Sequence, residues 1–130
     1  MNAPDAEAVL ARVSASTTPH VECFDGEPST PPSQYAVLYD GAPFAPLQRL
    51  AARPVDDQVT FRIVVVARTT DGLRTAVQSV RGQLARWRIN PLFEPVHEVQ
   101  AGDVLPTGVS GDRRLSQTLV FRYHRPFGGN

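Results

Sequence analysis

The sequence predicts an α+β domain: a mostly antiparallel sheet of four to five strands packed against two helices, in one domain spanning residues 1–130. Three observations predict it. The stretch from Val59 to Trp87 reads as a long strand followed at once by a long helix. The stretches Gln34 to Tyr39 and Leu115 to Arg125 sort their side chains onto two faces in the period of a pleated strand. The order of these segments, with strands first, then a helix, then strands, differs from the alternation of a parallel βαβ protein.

The elements follow in chain order. Residues 4–16 form a short amphipathic helix, with Ala6, Val9, Leu10 and Val13 at helical spacing and Asn2 or Asp5 as its cap. His20 to Phe24 is a short strand, closed by Asp25-Gly26. Glu27 to Ser33 holds three prolines and reads as a loop. In Gln34 to Tyr39, Tyr35, Val37 and Tyr39 share one face, and Asp40-Gly41 ends the strand. Residues 41–56 place Pro43, Pro46 and Pro54 around Phe44, Leu47 and Leu50, a long connection for a small domain and of the kind that is usually functional or mobile.

Val59, Phe61, Ile63, Val65 and Ala67 then fall on one strand face, and Thr60, Arg62 and Arg68 on the other, with Val64 and Val66 between them. Thr69-Thr70-Asp71-Gly72 supplies a hydroxyl cap and an acid at the positive helix end. Leu73, Val77, Val80, Leu84 and Trp87 make the helix stripe, opposite Arg74, Gln78, Arg81 and Arg88, and Asn90-Pro91 stops it. Pro95 to Gln100 is a short strand, 101–114 a second long loop, and Leu115 to Arg125 the last strand. On that strand Leu115, Leu119, Phe121 and Tyr123 share the core face, and Ser116, Thr118, Val120, Arg122 and His124 the outer one. Residues 126–130 are a tail expected to fray.

Composition narrows the function. Thirteen basic and thirteen acidic residues give a net charge of zero, so nothing draws the chain as a whole to nucleic acid or an anionic membrane. Every basic residue is Arg, which fits the coding bias of a GC-rich genome. Cys23 is alone, so no disulfide or cysteine zinc site forms within one chain. No apolar run approaches the roughly 18 residues of a membrane span, and no basic-then-apolar leader opens the chain, so a cytoplasm is the expected place of synthesis and use.

Catalytic patterns are missing. His20, His97 and His124 lie on three separate strands and read as unrelated sheet histidines rather than a metal triad; His97-Glu98 does not continue into a two-histidine zinc helix. Asp56-Asp57, and Asp40, Asp103 and Asp112 beside glycines, are turn chemistry. Ser110-Gly111 lacks the frame of a nucleophile elbow, and there is no phosphate-binding glycine loop. The expectation is a protein that is not an enzyme and that needs neither cofactor nor metal.

Phe24-Asp25-Gly26, Pro31-Pro32, Tyr35-Ala-Val-Leu-Tyr39-Asp40-Gly41, Arg49-Leu50, the strand Val59 to Ala67, the arginine-dotted helix ending Leu84-Ala-Arg-Trp and the closing Leu119-Val-Phe-Arg-Tyr123 together resemble the tail terminator proteins of long-tailed, siphovirus-type phages of actinobacteria. The resemblance covers roughly residues 5–125 and is one of order, length and punctuation; Gly72, where a better helix former is expected, departs from it. It implies assembly: a self-associated ring, hexameric in the family, at the head-proximal end of the tail in the virion. Its partners there are the major tail (tube) protein and the head-completion connector, and genomic DNA passes through its lumen without specific binding. Arg62 and Arg122 on the outer sheet face, Arg113 and Arg114 in the last loop, and Phe44 and Leu47 in the first are the expected contacts, since Arg offers both a packing stem and a fork of donors. The plainer alternative is that the arginines are merely solvated. The rival functions are a head–tail adaptor or tube subunit, or a small cytoplasmic enzyme or ligand-binding domain with a pocket under the 41–56 loop.

Overall fold

Val59, Phe61, Ile63, Val65 and Ala67 put an apolar residue at every second position, so one strand face must be buried, and the fold is built outward from it. In the computed structural model, residues 1–40, 56–109 and 112–126 are described. The elements are α1 (Ala3–Ser14), β1 (Glu22–Asp25), β2 (Tyr35–Asp40), β3 (Asp56–Ala67), α2 (Thr70–Leu84), β4 (His97–Ala101), β5 (Leu105–Val109) and β6 (Asp112–Pro126). They make one six-stranded sheet in the order β1-β2-β3-β6-β4, with β5 also on β6. β1 pairs parallel with β2, and every other pairing is antiparallel. The α+β class stands, with six strands rather than four to five.

The twelve-residue register of β3 on β6 sets both faces. Phe61 lies opposite Phe121 and Ile63 opposite Leu119, facing the helices; Arg62 lies opposite Val120 and Thr60 opposite Arg122, facing away. Ring stacks knit the inner face: Phe61 on Phe121 at 5.5 Å and Phe93 on Tyr123 at 6.0 Å. α2 lays Leu73, Ala76, Val77, Val80 and Leu84 on that face, and α1 adds Val9 and Val13. The helices are clasped to each other: Arg12 Nε donates to the Gln83 carbonyl at 2.7 Å, and Gln83 Nε2 returns a bond to the Arg12 carbonyl at 2.6 Å.

Both helix starts follow from capping chemistry. Asn2 Oδ1 accepts from the Asp5 N–H at 3.0 Å, so Asn2 is the cap. Asp5 turns inward instead, where the Tyr123 hydroxyl donates to its carboxylate at 2.6 Å and Arg125 approaches at 3.9 Å. Thr69 Oγ1 accepts from the Gly72 N–H at 2.9 Å. A Cβ on Gly72 would come within 2.9 Å of that same oxygen, which accounts for a glycine in the first helical turn.

Two expectations are corrected. α2 ends at Leu84, not at Asn90: Ala85 is extended and Arg86 takes a left-handed φ of 59°. Trp87 therefore lies beyond the helix, half-buried against the core, and its carbonyl accepts from the Val96 N–H at 2.7 Å. Trp87 falls at i+14 of the stripe by coincidence of spacing, and periodicity cannot separate the two cases.

The second correction is the loop expected at 101–114, which contains β5 and the start of β6, paired from Leu105↔Ser116 to Val109↔Asp112. Gly108, at φ 91°, makes the hairpin possible, since a Cβ there would run into the Asp112 carbonyl. Turn residues in this stretch thus shape a hairpin rather than mark a loop. The smaller shifts are β1 at Glu22–Asp25 rather than His20–Phe24 and β4 at His97–Ala101 rather than Pro95–Gln100.

Parallel neighbours need a connection that runs back along the sheet, and antiparallel ones do not. The proline-rich segment between Asp25 and Tyr35 makes that return across the outer face. It is held there by Arg114, whose Nη1 donates to the Pro32 carbonyl and whose guanidinium lies 5.6 Å over the Tyr35 ring.

Candidate functional site

Surfaces, not a cleft with reactive groups, are what these residues build. The helix-covered side of the sheet is filled. The opposite side has two zones. Where the strap crosses, Tyr35, Val37 and Val66 are buried, with Phe24, Tyr39 and Val64 packed around them. Beyond it, register places Thr60, Arg62, Val120, Arg122, His97 and Gln100 on the same face, with Val120 buried and Thr60, Arg62 and Arg122 half-buried.

Arg62 and Arg122 are diagonal neighbours there, because Arg62 pairs Val120 and Thr60 pairs Arg122. The Arg62 guanidinium lies 4.8 Å over the Tyr39 ring. The Nε atoms of both arginines are buried and have no hydrogen-bond partner among the described residues. A buried, unsatisfied donor on a charged group costs on the order of 1–3 kcal/mol or more.

The other expected contact residues divide. Arg113 is exposed on the β5–β6 hairpin. Arg114, its neighbour, is only 5% exposed, bonded to Asp112 Oδ1 at 3.2 Å and to the strap, so its fork is already used inside the chain. Beside the hairpin lies a cleft of about 520 Å³, lined by Arg68, Pro106, Thr107, Gly108, Arg113 and Arg114. Asp112 sits within 3.8 Å of Arg68 and offsets part of its charge. Phe44, Leu47 and the proposed pocket under residues 41–56 lie outside the described residues, as do Ser110-Gly111 and residues 127–130.

One surface was not anticipated. Strands β4 and β5 run one after the other along the outer edge of β6, and all five residues of β4 are exposed. Val99, Val104 and Leu105 stand 39%, 46% and 59% exposed along it, and Leu92 precedes it at 75%. A free sheet edge carrying apolar side chains is a template for another strand. The only sequence signal was the alternation of Leu105, Thr107 and Val109, hidden among turn residues.

The described cysteine and histidine side chains lie apart from one another. Burial, and secondarily the charge of Asp25, pushes the Cys23 thiol up to about 12, so it stays protonated and unreactive. His20 Nδ1 bonds the Ser16 carbonyl at 2.9 Å, while His97 faces Arg122 across the sheet. Among the described residues no group of three or more His, Cys, Asp or Glu side chains could hold a metal. No described helix is long and apolar enough to cross a membrane.

No protein-family model matches the chain, and no curated protein does. Its fold is similar to that of a chain in the virion of a native gene transfer agent particle, with a TM-score of 0.54 and 16% identity, over 91% of this chain and 84% of that one. At that identity the likeness is one of fold.

Proposed function

We propose that this protein is a structural subunit of a phage-type virion, and within it the tail terminator: a ring that caps the tail tube, ends its polymerisation and presents a surface to the head connector. The observation that carries the reading is the match of fold, over nearly the whole chain, to a chain of a gene transfer agent virion. The resemblance in residue order to siphovirus tail terminators points to the same class from the sequence alone. A sheet edge with exposed Val99, Val104 and Leu105 is the kind of surface that assembly requires.

In this reading six copies close a ring, which consumes both docking surfaces of every subunit and leaves none to propagate growth. One ring face meets the major tail tube protein and the other the head-completion connector. Genomic DNA slides through the lumen, and a net charge of zero suits a passage that must not hold phosphate. The protein works at the head-proximal end of the tail in the virion, after assembly in the host cytoplasm, and performs no catalysis.

The test is a phage lacking the gene. It is expected to accumulate heads and separate tails, with tubes overlong or uneven, and added purified protein is expected to restore joining. Tubes of normal length that fail to join heads would favour the head–tail adaptor, and absence of tubes would favour the tube subunit. Normal tails and normal joining would reject all three.

A further inference from the structure

We infer that the cleft between Arg68 and the β5–β6 arm is a docking site for a carboxylate side chain, carried by an acidic segment of another virion protein. The inference gives the chemistry of one partner contact of the subunit proposed above and rests on that reading.

The cleft follows from where the strands end. β3 stops at Ala67, which pairs Leu115, while β6 extends beyond that pair to Asp112 with β5 as its neighbour. The arm therefore projects past β3, and Arg68 stands at the step. Arg68, Arg113, Arg114, Pro106 and Leu115 line the cleft of about 520 Å³ there. Successive strand residues point to opposite faces, so Arg113 reaches it from the helix side of the arm and Arg114 from the outer side.

The guanidinium groups of Arg68, Arg113 and Arg114 have one carboxylate among them, that of Asp112. Asp112 Oδ1 lies 3.2 Å from Arg114 Nε, a hydrogen bond, and 3.8 Å from Arg68 Nη2, too far for one. Arg114 also donates to the Pro32 carbonyl. Arg68 and Arg113 are exposed, and neither donates a hydrogen bond among the described residues. Other arginines spend their donors inside the chain: Arg12 on the Gln83 carbonyl, Arg81 on the Glu98 carboxylate and Arg88 on the Phe93 carbonyl. At the cleft two unspent forks stand together. A guanidinium fork matches a carboxylate with two parallel N–H···O bonds, and a recess focuses the field of like charges. Pro106 and Leu115 add apolar wall for the methylene groups of the same incoming side chain.

A second copy has few acids to offer. Asp5 takes the Tyr123 hydroxyl, Glu98 the Arg81 fork and Asp112 the Arg114 Nε, and Asp71 lies 3.6 Å from Arg74. DNA fits less well, because a protein that holds duplex spreads about 6–10 contacts over its phosphates, and this cleft has two free cations. A carboxylate on another protein is the occupant that the size and charge of the cleft favour.

A hexaglutamate peptide is the probe, titrated into the folded protein at low salt and followed by NMR on arginine Nε–H and backbone amide signals. Shifts are expected at Arg68, Arg113 and along β5 and the start of β6, and a hexaglutamine peptide is expected to give none. Arg68→Gln with Arg113→Gln should weaken binding by about tenfold or more, two charge-assisted contacts being lost, with an unchanged melting curve. Arg86→Gln, exposed at the other end of α2, should change nothing. Equal shifts at Arg86, or equal binding by the double variant, would mean unspecific attraction and overturn the inference. Tighter binding of a short DNA duplex than of the peptide would assign the cleft to phosphate. A concentration-dependent oligomer that the double variant loses would assign it to a second copy. Either result also overturns the inference. In the phage lacking the gene, protein carrying Arg68→Glu and Arg113→Glu is expected to fold normally and fail to restore joining. Restoration equal to the parent's would remove this contact and keep the terminator reading; a parent protein that restores nothing would remove that reading, while the peptide titration is still decided by its own outcomes.

Discussion

On the helix side of the sheet, Phe61, Ile63, Leu119 and Phe121 meet Leu73, Val77 and Val80, and none is more than 3% exposed. On the opposite side, the alternate residues of the same strands mix Thr60, Arg62, Thr118 and Arg122 with Val64, Val66 and Val120, and a proline-rich strap is pinned there by one arginine. The first face is closed by the chain itself, through apolar area at roughly 25 cal/mol per Å². The second is held by stacking and hydrogen bonds, and keeps two buried Nε donors without a partner among the described residues. A protein selected only for stability would cover both faces. The asymmetry separates residues that hold the fold from residues available to another molecule, and the two classes should respond differently to substitution.

The largest effect is expected on the closed face. Val80 is fully buried under the sheet, so Val80→Asp places an unpaired charge in the core. The cost is several kcal/mol, of the order of a small domain's whole stability of about 5–15 kcal/mol. Insoluble or unfolded protein is the expected result; a soluble variant with an unchanged melting curve would show that the two faces do not differ as argued.

Next comes the polar stitch between α1 and β6. Tyr123→Phe removes the donor to the buried Asp5 carboxylate and should cost about 1–3 kcal/mol, seen as a drop of several degrees in Tm. The same stitch carries a pH signature. Burial first, and the bond to Asp5 second, push the Tyr123 phenol well above its ordinary value, and burial pushes the Cys23 thiol from 9.0 to about 12. The unfolded chain gives up these protons more readily than the folded one. The stabilisation is therefore complete below the unfolded values, about 9 for the thiol and 10 for the phenol, and is lost as pH rises through the folded ones. Urea midpoints are expected to fall above pH 9, and Cys23→Ala should flatten the first part of that fall.

How much of this was legible in the sequence follows the same division. The closed face was readable because burial imposes a period: Val59 to Ala67 and Leu73 to Leu84 could serve no other purpose. The helix end was not, because Trp87 continues the period while Ala85 and Arg86 leave the helix. The β5–β6 hairpin was not, because Gly102, Gly108 and Asp112 punctuate a strand pair as readily as a loop. Arg62 and Arg122 were placed correctly on the outer face by parity. Arg114 shares that parity, yet its guanidinium is bound to Pro32, 82 positions away, and no local pattern can announce a contact at that range.

That contact gives a moderate effect, on the boundary between the two classes. Arg114→Ala removes the bond to the strap and the stack on Tyr35, for an expected loss of about 1–2 kcal/mol. Hydrogen exchange should speed up in the segment 28–34 and over Tyr35, and not in α2. Arg114→Lys should rescue little, because an ammonium cannot reproduce the fork that reaches Asp112 and Pro32 together. Uniform loss of protection would mean that the strap is part of the global unfolding unit rather than a local cover.

The smallest effect on the free subunit, and the sharpest division, is expected at Arg62 and Arg122. Each has a buried Nε without a partner among the described residues, so Arg62→Leu or Arg122→Leu removes an unsatisfied charged donor while keeping a packing stem. Stability should stay within about 0.5 kcal/mol of the parent or rise slightly, since replacing such a group by an apolar one is close to neutral when nothing was bound to it. If the open end of this face meets an acceptor in the assembled particle, the same variants should fail to restore tail joining although they fold normally, and the double variant should be no worse folded than either single one. A loss of stability above about 1 kcal/mol would instead assign these arginines to the fold. Normal folding with normal joining would leave the patch solvated and place the docking surface along the β4–β5 edge alone.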